Sequence, residues 1–516
     1  MRNANYRRHF VPALILIIAS CSHYVNTPSC EPGTTCSYDP EVGYRFHPEW
    51  NPERETLFIV TLSGGGTRAA ALAYGVLLAL TKLPSAEGSR NLLEDVDVVS
   101  SVSGGSLTAA WYALHGPSGF TSPGDQPLLD YLHTDGTAAL AWRGLNPVAL
   151  GRYLLSDYQR SDVLADYFDG QLFHDARYAD VSARYLSGQR QGYVILNATD
   201  TGHETRFAFT QNNFDLICSD LSRMRLADAA AASADFPFFF SAAGIQNNSP
   251  CAAQTSGAFL ETGPPAWIKN YARFDPPETQ RPYPNADLPR ATQLARLRTA
   301  RTQNGYLEPL SNDRDLHLLD GGLVDNLGIQ STLDLADAPD REPGLRNRIG
   351  RNRPPGYAKV ERVLYVVVNA RTKDPTGIDA IAYPPDELTT ALRVVDTPLD
   401  NTTLDVQTLL TAELQAETGS DPRLVSLSTP RPSPPKAFIV TVDFEFIPDK
   451  TCRRWFWALG TNWHLPDATV DALIALASNL VNLSPGLRDY LGPKAAAALP
   501  PQDFSAACRL AWAAAG

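Results

Sequence analysis

The sequence has no block of basic residues, no internal repeat and no Cys/His spacing suited to zinc. With 44 Lys and Arg against 56 Asp and Glu, its formal charge of −12 excludes the field that draws proteins to nucleic acid, and any strong electrostatic pull toward an anionic bilayer. Two phosphate-binding signatures are also missing. The glycines at 64–66 are followed by Thr67-Arg68 rather than the Lys-Ser/Thr of a P-loop, and they do not spell G-x-G-x-x-G. The nine histidines fall in no catalytic pattern, and His317, three residues before a candidate carboxylate at Asp320, would point to the other face of a strand. Neither a metal nor a cofactor is expected. The N-terminal apolar run, Phe10 to Ala19, is too short for a stable bilayer span.

Three stretches carry chemistry. Val96 to Leu114 reads as a buried strand, a tight turn at Ser101-Val102-Ser103-Gly104-Gly105, and a packed helix. A serine at such an apex is lifted above the sheet beside the N–H groups of a helix start, as acyl transfer requires. The pattern departs from G-x-S-x-G in having Ser101 for the first glycine, and a plain helix cap by Ser103 or Ser106 is the alternative. Upstream, the strand-like Leu57 to Leu62 runs into Ser63-Gly64-Gly65-Gly66-Thr67-Arg68 and then a helix from Ala69 to Leu80. Glycines there let the backbone approach a ligand and form a nest of donors suited to an oxyanion. Downstream, Leu318-Leu319-Asp320-Gly321-Gly322 presents a carboxylate on a turn, which taken singly is a turn aspartate.

In this order the three motifs resemble the patatin-like phospholipase family, lipid acyl hydrolases that use a Ser-Asp dyad. The resemblance covers roughly residues 56–369 and, more loosely, the helix after Leu465. It implies a three-layer α/β/α sandwich with a mostly parallel central sheet, Ser103 as nucleophile and Asp320 as its base. It also implies an oxyanion loop at Gly64, Gly65 and Gly66 with Arg68 in support, a further donor from Gly104, and a phospholipid or other acyl-ester lipid as substrate. Ala227 to Phe240 is similar to the family's Ala/Ser-rich segment with its Pro-aromatic turn, and Tyr193 to Phe209 to its central hairpin. A non-catalytic lipid-binding envelope lipoprotein and an acyltransferase on the same fold are the alternatives.

Arg2, Arg7 and Arg8 precede the apolar run, which ends in Ile18-Ala19-Ser20-Cys21. This resembles a bacterial lipoprotein signal, with Cys21 lipidated, residues 1–20 removed, and Ser22 directing the product to the outer membrane of a Gram-negative envelope. A plain secretory peptide is the alternative. Six further cysteines suit a disulfide-permissive compartment, and proximity suggests Cys30 with Cys36, Cys218 with Cys251, and Cys452 with Cys508.

The domain plan is a tether at 21–55, a hydrolase domain at 56–483 with insertions near 247–312 and 374–429, and a tail at 484–516. The first insertion is a candidate cover over the site. The apolar stripe from Leu140 to Asp169 is expected in the core, and the aromatic Phe236 to Phe240 either in the core or lining an acyl pocket.

Overall fold

The computed structural model describes, short breaks aside, residues 22–29, 42–46, 54–248, 315–337, 360–373 and 436–514, with part of 402–414. The elements in chain order are β1 (Ser22–Tyr24), β2 (Thr27–Pro28), β3 (Thr56–Leu62), α1 (Gly66–Thr81), β4 (Val98–Val102), α2 (Gly104–His115), α3 (Gln126–His133), α4 (Gly136–Leu145), α5 (Pro147–Leu155), α6 (Arg160–Phe168) and α7 (Tyr178–Leu186). There follow β5 (Tyr193–Asp200), β6 (Thr205–Ala208), α8 (Gln211–Leu216), β7 (Ser219–Asp220), α9 (Leu226–Ala234), β8 (Ala243–Gln246) and β9 (Asp315–Asp320). The chain continues with α10 (Gln330–Asp337), β10 (Arg362–Asn369), β11 (Lys436–Asp443), α11 (Lys450–Trp457), α12 (Asp467–Leu483), α13 (Pro485–Ala497) and α14 (Phe504–Ala514).

The central sheet has the order β1-β8-β9-β5-β4-β3-β10-β11, with β6 also on β5. From β5 to β11 every pair is parallel, with Val99 between Val60 and Val194, and Val60 beside Val366. Only β9 runs against its neighbours β5 and β8, and β6 against β5. The continuous apolar runs of β3 and β10 follow from this position, because a parallel strand covered on both faces has no side for water. Alternation along β4 shows the two covering layers. Ser101 turns its hydroxyl to Ser106 of α2, while Ser100 faces the opposite way, toward Gly328 just before α10. The chain is therefore the expected α/β sandwich. On the α2 side α1 packs against α12 so closely that a methyl on Gly75 would stand 2.7 Å from Ala477 Cβ.

Several expectations need correction. The segment after Cys21 is no free tether: Ser22–Tyr24 add a parallel strand to β8, Thr27–Pro28 pair with β7, and Tyr44 is buried among Tyr178, Tyr185 and Tyr193. Polar composition concealed this, since an edge strand of three residues leaves no periodicity to read. The stripe at Leu140 to Asp169 divides in two. Val163, Leu164 and Phe168 of α6 are core, but Leu150 and Leu154 of α5 are exposed. The tail contains two helices, and Cys508 of α14 is bonded to Cys452 of α11 with their Cα atoms 5.5 Å apart. Cys218 is buried, while Cys21, Cys30, Cys36 and Cys251 lie outside the described residues. So do 249–314 and most of 374–429, which hold both proposed insertions.

Candidate active site

Ser103 sits where β4 ends and α2 begins, with φ 52° and ψ −126°. A non-glycine residue held at positive φ is strained, and only surrounding bonds and packing keep it there. Here the bonds are plain. Ser103 N–H donates to Ser233 Oγ at 2.9 Å, and Ser233 Oγ donates onward to the Asn197 carbonyl at 2.6 Å. Ser106 Oγ lies 2.9 Å from Ser233 Oγ and 3.1 Å from Ser101 Oγ, which also bonds the Ile195 carbonyl at 3.2 Å. The serine that replaces the elbow's first glycine is thus fully buried and satisfied.

Space at the turn explains the remaining glycines. A methyl on Gly104 would fall 2.0 Å from the Gly66 carbonyl oxygen, and one on Gly105 2.6 Å from that of Ser63. A methyl on Gly64 would stand 3.1 Å from Ser103 Cβ. The triple-glycine loop therefore lies directly against the elbow, with the N-termini of α1 and α2 touching. Both helix ends bring positive dipole to the same point.

Of the expected oxyanion donors, Gly64 is already engaged: its N–H reaches the Asn326 carbonyl at 3.1 Å. Among the described residues no backbone carbonyl takes the N–H of Gly65, Gly66 or Gly104. Gly65 and Gly66 hold φ of 137° and 59°, the region glycine favours. Arg68 is buried and ties this loop to others, donating from Nε to the Ala370 carbonyl at 2.8 Å and from Nη1 to that of Leu459 at 2.6 Å. Thr67 N–H adds a bond to the Asn462 carbonyl at 2.9 Å.

Asp320 ends β9, and pairing with Ala198 of β5 brings it to the elbow. Ser103 Oγ donates to its Oδ2 at 2.7 Å across 217 positions of sequence. Gly322 N–H fixes Oδ1 at 2.8 Å, and Thr199 Oγ1 holds the Asp320 carbonyl at 2.9 Å. Burial raises the Asp320 pKa to about 6, against the opposing pull of the bonds from Ser103 and Gly322. No described histidine bonds Ser103, and His317 points outward from β9 as the strand alternation requires.

Four neighbours escaped sequence reasoning. Ser233 lay in the Ala/Ser-rich segment without a role. Asn197 links the elbow to β5, donating to Ser100 Oγ at 3.0 Å and the Ser101 carbonyl at 2.9 Å. Asn326 abuts Gly64 and Gly322. Asp235 is fully buried, its carbonyl accepting from Asp320 N–H at 3.0 Å, and neither carboxyl oxygen has a hydrogen-bond partner among the described residues. Burial pushes its pKa well up; the nearby Ser161 hydroxyl offsets part of this, although it donates to the Ser241 carbonyl, and Asp320 adds to the rise. No sequence signal distinguishes Asp235 from a turn residue before Pro237.

The aromatic Phe236 to Phe240 is neither wholly core nor wholly pocket. Phe239 is exposed and Phe240 is half-buried against Trp463, while Phe238 lies outside the described residues.

Comparison with known proteins gives the following likenesses. No curated protein matches the chain. Among solved structures it is similar to human GIVD cytosolic phospholipase A2, at 14% identity and a TM-score of 0.34 over 62% of this chain and 46% of that one. A second structure of that protein, in complex with methyl gamma-linolenyl fluorophosphonate inhibitor and terbium chloride, matches at 12% identity and a TM-score of 0.38, over 89% of this chain and 60% of the other. The chain thus spans about half the length of the structures it matches. The pattern that defines the patatin-like phospholipases fits residues 60–333, from β3 through the elbow and β9 to α10, and the chain belongs to that family.

Proposed function

We propose that the chain is a serine acyl hydrolase that cleaves acyl esters of membrane phospholipids or related lipids. The observation that carries the proposal is the 2.7 Å bond from Ser103 Oγ to Asp320 Oδ2 beneath the glycine loop. A serine hydroxyl needs a base within hydrogen-bond reach, and Asp320 is the base. As Oγ attacks the ester carbonyl, its proton passes to Oδ2, and the negative oxygen is received by the amides of Gly65, Gly66 and Gly104. Collapse of the tetrahedral intermediate expels the alcohol, which takes up the proton from Asp320, and leaves an acyl group on Ser103. Water then repeats the sequence with Asp320 as base, releasing the fatty acid. Lipidation at Cys21 and residence in the outer membrane of a bacterial envelope belong to the same proposal, supported by the signal-like sequence at 1–21.

A fluorophosphonate probe tests the nucleophile. Wild-type protein is expected to label covalently, and Ser103→Ala not at all. A panel of phospholipid and lysophospholipid esters, compared between wild type and Asp320→Asn, tests the base and the substrate class. Labelling that survives in Ser103→Ala, or hydrolysis that survives in both variants, overturns the assignment; intact lipid binding with no turnover in wild type makes the chain a lipid-binding protein instead.

A further inference from the structure

We infer that the helical pair α4–α5 is the element by which the protein docks on a phospholipid bilayer, with the end of the sheet that carries Ser103 and Asp320 turned to the lipid. The inference concerns how the site proposed above meets its substrate, and so rests on that reading for its meaning.

The pair is built to hold apolar side chains in water. Trp142, Leu145, Val148 and Leu154 are 72–76% exposed, Leu155 is 88% exposed and Leu150 47%. Isolated exposed apolar residues are ordinary, but six within fourteen positions form a patch that soluble surfaces avoid. The exposure is not the mark of a loose segment. Asn146 joins the helices, its Oδ1 capping Val148 and Ala149 N–H at 3.0 Å and its Nδ2 bonding the Arg143 carbonyl at 2.6 Å. Arg143 lies over the Tyr167 ring and Arg152 bonds Asp166, fastening both helices to α6.

Charge and position both indicate lipid as the occupant. Between Gly136 and Leu155 the only charged side chains are Arg143 and Arg152, in a chain whose net charge is −12. Tryptophan, leucine and arginine on short helices are the composition of an interfacial element. The pair also stands at the right end of the molecule. Ser22 of β1 pairs with Ala243 of β8, which pairs with Leu318, two residues before Asp320. At Ser22 the chain therefore enters the sheet at the end that holds Asp320, two strands or about 10 Å from β9. Tyr24 Oη donates to the Ser161 carbonyl, and Ser161 bonds Ser241, so β1, the start of α6 and the exposed Phe239 are neighbours. On the other flank, a methyl on Gly136 at the start of α4 would meet the Trp463 carbonyl at 2.5 Å, one residue from Asn462, which abuts Gly66. The apolar pair, the Ser22 end of β1 and the glycine loop thus share one rim.

Full-length protein and vesicles of phosphatidylethanolamine and phosphatidylglycerol with brominated acyl chains give a test that does not require turnover. Bromine quenches tryptophan only on contact, so the quenched fraction should fall in Trp142→Phe, whatever a lipid on Cys21 contributes. Leu154→Asp/Leu155→Asp, and the milder Leu154→Ser/Leu155→Ser, should lower hydrolysis of vesicle lipid by about tenfold or more and leave a water-soluble short-chain ester unaffected. Equal quenching with and without Trp142, or unchanged vesicle hydrolysis in the aspartate pair with its soluble-ester activity intact, overturns the inference. So does a concentration-dependent dimer in sedimentation that the aspartate pair abolishes, since the patch would then belong to a second copy. If no ester is hydrolysed at all the proposed function fails, while the quenching result still decides the docking.

Discussion

Ser233 Oγ stands between the backbone N–H of Ser103, which it accepts at 2.9 Å, and the Asn197 carbonyl, to which it donates at 2.6 Å. One hydroxyl on α9 therefore joins the elbow to β5 and holds the strained serine in place. Ser233→Ala leaves a buried N–H and a buried carbonyl unpaired, at a cost of about 1–3 kcal/mol in urea unfolding. Because the nucleophile shifts, kcat should drop about 10- to 100-fold with KM little changed. Equal kcat in the variant would mean that the turn keeps its shape without this bond.

Activity should carry one acid limb. On the proposed mechanism Asp320 accepts the proton of Ser103 only when ionised, and burial places its pKa at about 6, so kcat/KM should rise through that pH and level above it. Asp320→Asn should lose roughly 10⁴-fold at all pH values, and a limb that persists in residual activity would assign the titration to another group.

The same shift acts on stability, with opposite benefit. The unfolded chain loses the Asp320 proton near the ordinary value of 3.8, whereas the native protein keeps it to about 6. Native stability is therefore fullest below the lower value and declines as pH rises to the upper one, by on the order of 3 kcal/mol. Burial raises the Asp235 pKa as well, so it adds a decline of the same sign. Asp235→Asn should gain in melting temperature relative to wild type as pH is raised above the ordinary carboxyl range, and a difference that stays constant between pH 5 and 8 would show that Asp235 is already ionised in the native state at pH 5.

The departure at Ser101 makes a directed test. Ser101→Gly restores the G-x-S-x-G pattern but removes bonds to Ser106 and the Ile195 carbonyl, so about 1 kcal/mol of stability should be lost with kcat retained. Improved stability would show that the hydroxyl is a burden.

Glycine positions offer a graded contrast. Gly104→Ala drives a methyl onto the Gly66 carbonyl and should cost about 1–3 kcal/mol from overpacking as well as most activity. Gly88→Ala, at φ +79° with open space around it, should cost only about 1–2 kcal/mol from the backbone and nothing in kcat. Thermal melts and turnover of a soluble ester separate the two.

What could be read in advance follows the range of the interactions. Buried parallel strands such as β3 and β10 announce themselves by unbroken apolar runs, and the glycines of the loop and elbow by a need for space that no other residue meets. The turns that carry Ser103 and Asp320 were legible because each has a distinctive composition. Ser233, Asn197 and Asp235 were not, since their roles depend on contacts between strands and helices far apart in sequence, and nothing local separates a bonded serine from a small one. The loss of Gly64 N–H to Asn326 was hidden for the same reason. Three-residue β1 was too short to show a pattern, and the exposed half of the Leu140 to Asp169 stripe has the same spacing as the buried half.

The separation of 217 positions between Ser103 and Asp320 orders events during synthesis. A ribosome completes β4, the elbow and the glycine loop long before it reaches β9, so the nascent polypeptide carries an alcohol with no proton acceptor for nearly half its length. On the mechanism proposed above, reactivity toward an ester waits until the returning strand slots in beside β5. Fragments that end before β9, whether by premature termination or by proteolysis, lack Asp320 and on that mechanism would be inert.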